Sequence, residues 1–449
     1  MNKSVQIILP NKVKYIIDTL MNRGYEAYAV GGCVRDSLLL REPQDWDITT
    51  SAKPKQVKEL FRHTIDTGIA HGTVTVMIDH EGFEVTTYRI DGEYEDARHP
   101  KEVVFTSNLL EDLKRRDFTI NAMAYNEQDG IVDAFDGIGD LERGVIRCVG
   151  EAEERFTEDA LRMLRAIRFA AQLGFSIEEE TKCAITKLAG NIAKVSAERI
   201  QAEMVKLLIS AHPDELKAAY ETGLTKVFLP EFDEMMQTKQ GNRHHCYSVG
   251  EHSIVALKNI PADKVLRLTM LLHDVAKPVC RTTDEAGVDH FYGHPLKGSD
   301  MAKSILRRLK FDNDTIARVC SLIKWHDDNP ELSEHSVRRA ISRIGIEQYP
   351  ALFAVKRADA LAQSEYKRQE KLSYIDTYEK LYQEVLEKQQ CLTVGQLAIN
   401  GKDLIAAGMK PGKELGICLK QLLEIVLERP EANTREQLLQ EAEKLQKKR

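Results

Sequence analysis

The sequence predicts an α+β protein, with a small mixed head followed by a long body that is helical throughout. Three observations carry this. Helical and strand-like periods alternate between residue 10 and about residue 148. From Glu151 the periodicity is helical, with no Pro/Gly/Ser linker, low-complexity tract or internal repeat. The chain of 449 residues is also too long for one core, with about three domains the expectation from length.

Taken in order, Val13, Ile16, Ile17, Leu20 and Met21 recur at helical spacing over residues 10–22. Ala27 to Val30 reads as a strand leading into Gly31-Gly32, and Val34 to Leu40 as a helix. Pro54 suits the first turn of a helix over residues 54–61. Thr73 to Ile78 and Phe83 to Tyr88 form a hairpin around Asp79-His80-Glu81-Gly82. Breaks in the body fall at Ala211-His212-Pro213, at Gln240-Gly241-Asn242 and near Glu370. The chain thus divides into a head at 1–148, a helical neck at 149–240, a helical domain at 241–370 and a helical tail at 371–449.

Hydrophobic content of 43% and charged content of 30% describe a soluble globular protein. No run approaches the ~20 apolar residues that span a bilayer, so no membrane partner is expected. The N-terminus lacks an apolar export region, and the eight cysteines are scattered without a Cys-x-x-Cys pair. The expected location is the cytoplasm. A net charge of −7 argues against a protein that coats nucleic acid non-specifically, but leaves room for a local basic groove.

The chemistry concentrates at Gly31-Gly32-Cys33-Val34-Arg35-Asp36 and Asp45-Trp46-Asp47. A glycine pair at a strand-to-helix turn lets backbone N–H groups approach a phosphate. If residues 45–49 are extended, the Asp45 and Asp47 carboxylates leave one face. They can then share a pair of divalent cations that catalyse phosphoryl or nucleotidyl displacement. Glu84, on the hairpin, is the candidate third carboxylate. In Arg115-Arg116-Asp117-Phe118-Thr119-Ile120-Asn121-Ala122, Asp117 can cap a helix with Asn121 one turn later. The Arg116 fork suits phosphate or ribose oxygens.

Arg162, Arg165 and Arg168 recur every three residues beside an apolar stripe of Leu161, Leu164 and Phe169. Asp159 and Arg162 are i, i+3 neighbours. A carboxylate acceptor beside a guanidinium donor matches the edge of cytosine or adenine, where an exocyclic amine adjoins a ring nitrogen. Uracil and guanine present the reverse and would leave both groups unsatisfied. Such a pair accepts CTP and ATP without a nucleic-acid template.

These motifs, with His71-Gly72-Thr73-Val74 and Glu84-Val85-Thr86-Thr87, resemble the class II tRNA nucleotidyltransferases. That family joins CCA-adding enzymes and bacterial poly(A) polymerases within the polymerase-β-like superfamily. The likeness is close over roughly residues 25–175 and looser beyond. It implies a polymerase-β-like head in which Gly32 and Arg35 hold the triphosphate, Asp45 and Asp47 bind Mg2+, and Glu84 completes the acidic cluster. It further implies that Arg116 and Asp117 contact phosphate and ribose, that Asp159 and Arg162 read the base, and that Arg165 and Arg168 steady the triphosphate. Asp91 to Pro100 resembles the family's flexible loop, whose presence favours full CCA addition. His99, after Arg98, stands where the family often has a second arginine.

A second constellation comprises His252, His273-Asp274 and Asp359, with His294 and His326 between. It resembles the HD-superfamily metal-dependent phosphohydrolases, with His252, His273, Asp274 and Asp359 matching the ligands of a divalent or transition metal. Asn400 to Gly416 resembles the family's tRNA-binding tail, where glycines and lysines ahead of a helix suit backbone phosphates. The expected activity is CCA addition to tRNA from CTP and ATP. A poly(A) polymerase or A-only adder, and an HD hydrolase as the main activity, stand as alternatives.

Overall fold

The computed structural model describes residues 6–91 and 103–447. They fall into two compact units, Met1–Asp233 and Glu234–Arg449. The expected loop from Asp91 to Pro100, with Arg98 and His99, lies outside the described residues except for Asp91, which ends a short strand, Arg89–Asp91.

The first unit opens with the helix Asn11–Met21, whose Val13, Ile16, Ile17 and Leu20 are buried at the spacing the sequence predicts. Its seven-stranded sheet consists of β1 (Ala27–Val30), β2 (Ile48–Thr50), β3 (Thr64–Gly68), β4 (Thr73–Ile78), β5 (Glu81–Thr87), β6 (Met123–Asn126) and β7 (Gly130–Asp133), in the order β3-β4-β5-β2-β1-β6-β7. The β2–β5 pair is parallel and the other neighbours are antiparallel. The β4–β5 hairpin is tighter than expected. Pairing continues to Ile78 opposite Glu81, leaving a two-residue turn in which Asp79 and His80 both have positive φ. That is the backbone handedness that matches strand twist.

Beyond the sheet, the helix Ala152–Glu158 stops at Asp159, whose extended backbone (φ −141°, ψ 103°) separates it from the helix Leu161–Leu173. The latter packs against the helix Ala197–Leu208. Two expectations need correcting. The helix after the glycines runs Gly32–Leu38 rather than from Val34 to Leu40. No α-helix starts at Asp117; the segment forms a single 3₁₀ turn, Thr119–Asn121, because Asp117 Oδ1 accepts from Phe118 N and Asn121 Nδ2 instead of capping.

The second unit is built mainly of helices with strong caps. Ser248 and Glu251 form a reciprocal capping box at the start of Val249–Lys258. Asp263 accepts from two backbone N–H groups at the start of Lys264–Leu272. The first of these helices carries His252, and the second ends just before His273. Toward the C-terminus, Asn400 caps the helix Gly401–Ala406, and the helix Lys413–Glu428 follows Gly412. Among the described residues, no helix is long and apolar enough to cross a membrane.

Candidate active site and a second polar cluster

Gly31, between β1 and the helix Gly32–Leu38, has φ 82° and ψ −127°, a conformation that favours glycine. A Cβ there would stand 3.1 Å from an Arg116 guanidinium nitrogen. Gly32 needs no such freedom, since a Cβ would meet Arg35 at an ordinary 3.7 Å. Of the pair, the backbone therefore demands Gly31, which the sequence analysis did not single out.

Asp45 and Asp47 lie in the loop just ahead of β2 rather than within a strand. Val30 N donates to Asp47 O at 3.0 Å, continuing the β1–β2 ladder past its end. The parallel register of Ile48 with Val85 sets Asp47 beside Glu84 across the two strands. Asp47 is exposed to solvent, yet protein crowds one side of its carboxyl. Partial burial raises its pKa, Arg116 opposes this, and repulsion from Asp45 adds to it. Partial burial and repulsion from Asp47 and Asp45 likewise raise Glu84. Asp47 and Glu84, both raised and both close to Asp45, fit a site for hard cations, which take oxygen ligands.

Behind them sits an arginine cluster. Arg35 Nη1 donates to Asn121 Oδ1 at 2.8 Å, and its other nitrogens engage Asp36. Asp117, buried, receives two bonds from Arg165 at 2.8 and 2.5 Å. Burial works against its ionisation, but Arg165 and Arg162 outweigh that and hold the carboxyl well below the usual range. Arg35, Arg165 and Arg168 all stack over the Phe169 ring, at 5.0, 5.4 and 3.6 Å from its centroid. Arg168 is buried, and its guanidinium is taken by Glu203 at 2.7 Å and Gln172 at 2.8 Å. The expected basic stripe is therefore split: Arg168 turns inward toward the helix Ala197–Leu208. Arg116 contacts the buried Asp112 at 3.4 Å.

Asp159 lies in the helix break and Arg162 in the first turn of the helix that follows, and they make no ion pair with each other. The Asp159 carboxylate is gripped by Arg199 at 2.7 and 3.3 Å and accepts from Leu161 N at 3.0 Å. Arg162 is held by Glu158 at 2.7 Å and by the carbonyls of Arg115 and Arg155 at 3.0 and 3.4 Å. Sequence reasoning missed Arg199 and Glu203. Their partners lie 40 and 35 residues away, beyond any local spacing.

In the second unit, His252, His273, Asp274 and Asp359 do come together. His252 Nε2 lies 2.9 Å from Asp359 Oδ1 and 3.2 Å from His273 Nε2. His294 and His326, which the sequence leaves between the expected ligands, join the same cluster: each Nε2 faces Asp274 Oδ1, at 3.4 and 3.8 Å. Among the described residues, two groups have ligand atoms converging within 4.8 Å, and both contain Asp274. Imidazole and carboxylate donors in this arrangement suit a divalent metal.

Comparison with known proteins places the chain in a family. The family described as the poly A polymerase head domain matches residues 27–147. Residues 174–236 match the probable RNA and SrmB-binding site of polymerase A, and residues 295–442 match tRNA nucleotidyltransferase domain 2. The CCA-adding enzyme of Lactiplantibacillus plantarum is 37% identical over 432 residues, covering 95% of this chain and 94% of that one. The enzyme of the same name from Lactobacillus delbrueckii subsp. bulgaricus is 38% identical over 419 residues, 92% of each chain. The crystal structure of the Bacillus stearothermophilus CCA-adding enzyme in complex with CTP superposes with a TM-score of 0.71 at 29% identity, covering 98% and 99% of the two chains. The fold and site define a nucleotidyltransferase. The chain belongs to the family of CCA-adding enzymes.

Proposed function

We propose that this chain completes tRNA 3′ ends, adding C, C and A from CTP and ATP without a nucleic-acid template. We further propose that Asp45, Asp47 and Glu84 hold Mg2+ in the head. The relatives named CCA-adding enzymes, and the structural neighbour with CTP, support the substrate assignment. One observation carries the rest: Asp159 and Arg162 are braced by other residues, yet neither is saturated. Of the roughly four lone-pair sites on a carboxylate, Asp159 uses three, and Arg162 uses three of its five donors. That leaves an acceptor for an exocyclic amine beside a donor for a ring nitrogen.

In the reaction the tRNA 3′-hydroxyl gives up its proton to solvent, its oxygen bonds to the α-phosphorus, and the bond from that phosphorus to pyrophosphate breaks. Bound Mg2+ supplies charge neutralisation at the triphosphate and at the leaving group. The chain's own residues orient the substrates. Arg116, against Gly31, and Arg35, fixed by Asn121, face the phosphates, while Asp117 is held ionised by Arg165 to receive ribose. Residues 149–240 present the base-reading and RNA-binding elements, and residues 371–449 the tRNA-binding tail.

Incubation of the purified chain with tRNA lacking its end, and with each nucleoside triphosphate separately and together, tests this. Cytidines should add from CTP, adenosine should follow when ATP is also present, and UTP and GTP should be refused. Long adenylate tails without cytidine would instead identify a poly(A) polymerase. Asp45→Ala and Asp47→Ala should abolish incorporation.

A second activity fits the other cluster. We infer that His252, His273, Asp274 and Asp359 hold a metal for phosphoester hydrolysis, in which water oxygen bonds to phosphorus and the alcohol leaves with a proton. The convergence of these four buried or half-buried side chains favours this reading. His273→Ala and Asp274→Ala should remove hydrolysis of 2′,3′-cyclic or terminal phosphates and leave nucleotide addition in place.

A further inference from the structure

We propose that Asp112 is a positioning residue for the phosphate grip, aiming the Arg116 guanidinium at the triphosphate. The proposal rests on the nucleotidyl-transfer reading of the head and adds to it a side chain that touches no substrate.

Asp112 lies on the helix Leu109–Lys114, whose Leu109 and Leu113 pack with Tyr28, Val30, Tyr88 and Ala124 in an apolar cluster. Asp112 is itself fully buried. A carboxylate withdrawn from water in such surroundings is costly unless it is paired and hydrogen-bonded. Arg115 and Arg116 follow at i+3 and i+4, so both guanidinium groups return to the face that carries it. Arg115 Nε and Nη2 donate to Asp112 Oδ1 at 3.0 and 2.8 Å, and Arg89 N approaches the same oxygen at 3.4 Å. Thr49 Oγ1 donates to Oδ2 at 3.1 Å, and Arg116 Nη2 reaches that oxygen at 3.4 Å. Burial works against ionisation of Asp112, but Arg115 and Arg116 outweigh it and hold the carboxyl below its ordinary value.

The two arginines are used differently. Arg115 closes on Asp112 with two short bonds, whereas Arg116 gives it one long one. Arg116 Nε is buried and has no acceptor. Among the described residues the Arg116 guanidinium has no other hydrogen-bonded partner. Buried donors of this kind are unfavourable until something supplies an acceptor. A triphosphate brings oxygens in the paired arrangement that a guanidinium fork fits.

The direction of the fork is set at both ends. Nη2 is tied to Asp112, and Nη1 stands so close to the glycine turn that a Cβ on Gly31 would lie 3.1 Å from it. Asp47 is a competing anion. Burial raises its carboxyl and Arg116 opposes that, so the guanidinium charge reaches it. The ion pair that Arg116 makes is nonetheless with Asp112. Asp112 thus holds the cation back from a carboxylate assigned to Mg2+ and leaves its remaining donors to the phosphates. Thr49, two residues beyond Asp47 on β2, steadies the Asp112 oxygen involved.

An amide at position 112 separates these roles. It can turn its one oxygen to Arg115, but its NH2 then confronts Arg116 Nη2, donor against donor. The test measures the affinity of the full chain for inorganic triphosphate, a probe with neither base nor ribose, by its displacement of labelled CTP. Asp112→Asn should weaken that affinity about tenfold and raise the KM for CTP more than it lowers kcat. In a chain that already carries Arg116→Ala it should add no further loss. Thermal melting by circular dichroism checks folding. If Asp112→Asn does not fold, Thr49→Val, which loosens the same oxygen, should weaken triphosphate affinity about threefold, again only where Arg116 is present. Equal losses with and without Arg116, a fall in kcat with triphosphate affinity unchanged, or a lowered melting temperature alone would overturn the role of Asp112. If Arg116→Ala itself left triphosphate affinity unchanged, the phosphate-facing reading of Arg116 would fail, and the role of Asp112 with it.

Discussion

Arg199 holds the Asp159 carboxylate with both terminal guanidinium nitrogens, at 2.7 and 3.3 Å, from a helix 40 residues further along the chain. Asp159 lies in a break between two helices, where Leu161 N engages one carboxylate oxygen. Arg199 engages both and fixes the direction of the carboxylate.

Arg199→Ala should therefore impair base reading more than folding. Hydrogen bonds to charged groups contribute about 1.5–3 kcal/mol, which corresponds to a loss of roughly 10- to 100-fold in kcat/KM. The loss should fall on CTP and ATP, and discrimination against UTP should narrow. Steady-state incorporation with each nucleotide measures both. An unchanged CTP/UTP ratio would remove Arg199 from the base-reading apparatus.

The two glycines should behave differently. Gly31→Ala forces a Cβ into a left-handed position 3.1 Å from Arg116, at a cost of about 1–2 kcal/mol. It should lower both the melting temperature and the activity. Gly32→Ala meets only ordinary contacts and should keep the melting temperature. Loss of activity in Gly32→Ala alone would mean that bound phosphate needs the space a Cβ would fill.

Asp117 gives a pH signature. Its carboxyl is held well below the ordinary value, which for an unfolded chain is about 3.9. Its contribution to stability is complete above that value and is lost as pH falls through the folded value. Denaturation midpoints of the unmodified chain should thus drop steeply below about pH 4, and those of Asp117→Asn less so. Near neutral pH the variant should be weaker by about 2 kcal/mol, less than for a fully buried pair because Arg165 is partly exposed.

Lys356→Met removes the ammonium that pins the helix end bearing His326 without touching a ligand atom. Metal affinity of the histidine–aspartate cluster should fall about 10- to 100-fold. Equilibrium dialysis against Mn2+ measures it.

What the sequence made legible was local. The helix Asn11–Met21, the strand-turn-helix at Gly31 and the β4–β5 hairpin all announce themselves within about ten residues. Asp45, Asp47 and Glu84 were readable as carboxylates, but only the parallel β2–β5 register sets Asp47 beside Glu84. Arg168 could not be told from Arg165 by spacing, because its inward turn depends on Glu203, which lies on another helix. The sequence set His326 between the expected ligands without a role, for a similar reason. Its neighbours in space, Asp274 and His294, come from two other segments of the chain.

Phe169 has a consequence for turnover. One buried ring sets the position of three guanidinium groups, each of which would otherwise lose about 2 kcal/mol of rotamer entropy on ordering. Folding meets that loss once. An enzyme that must accept three nucleotides in succession then does not incur it again with each arrival, and the guanidinium groups are already in place before the substrate comes.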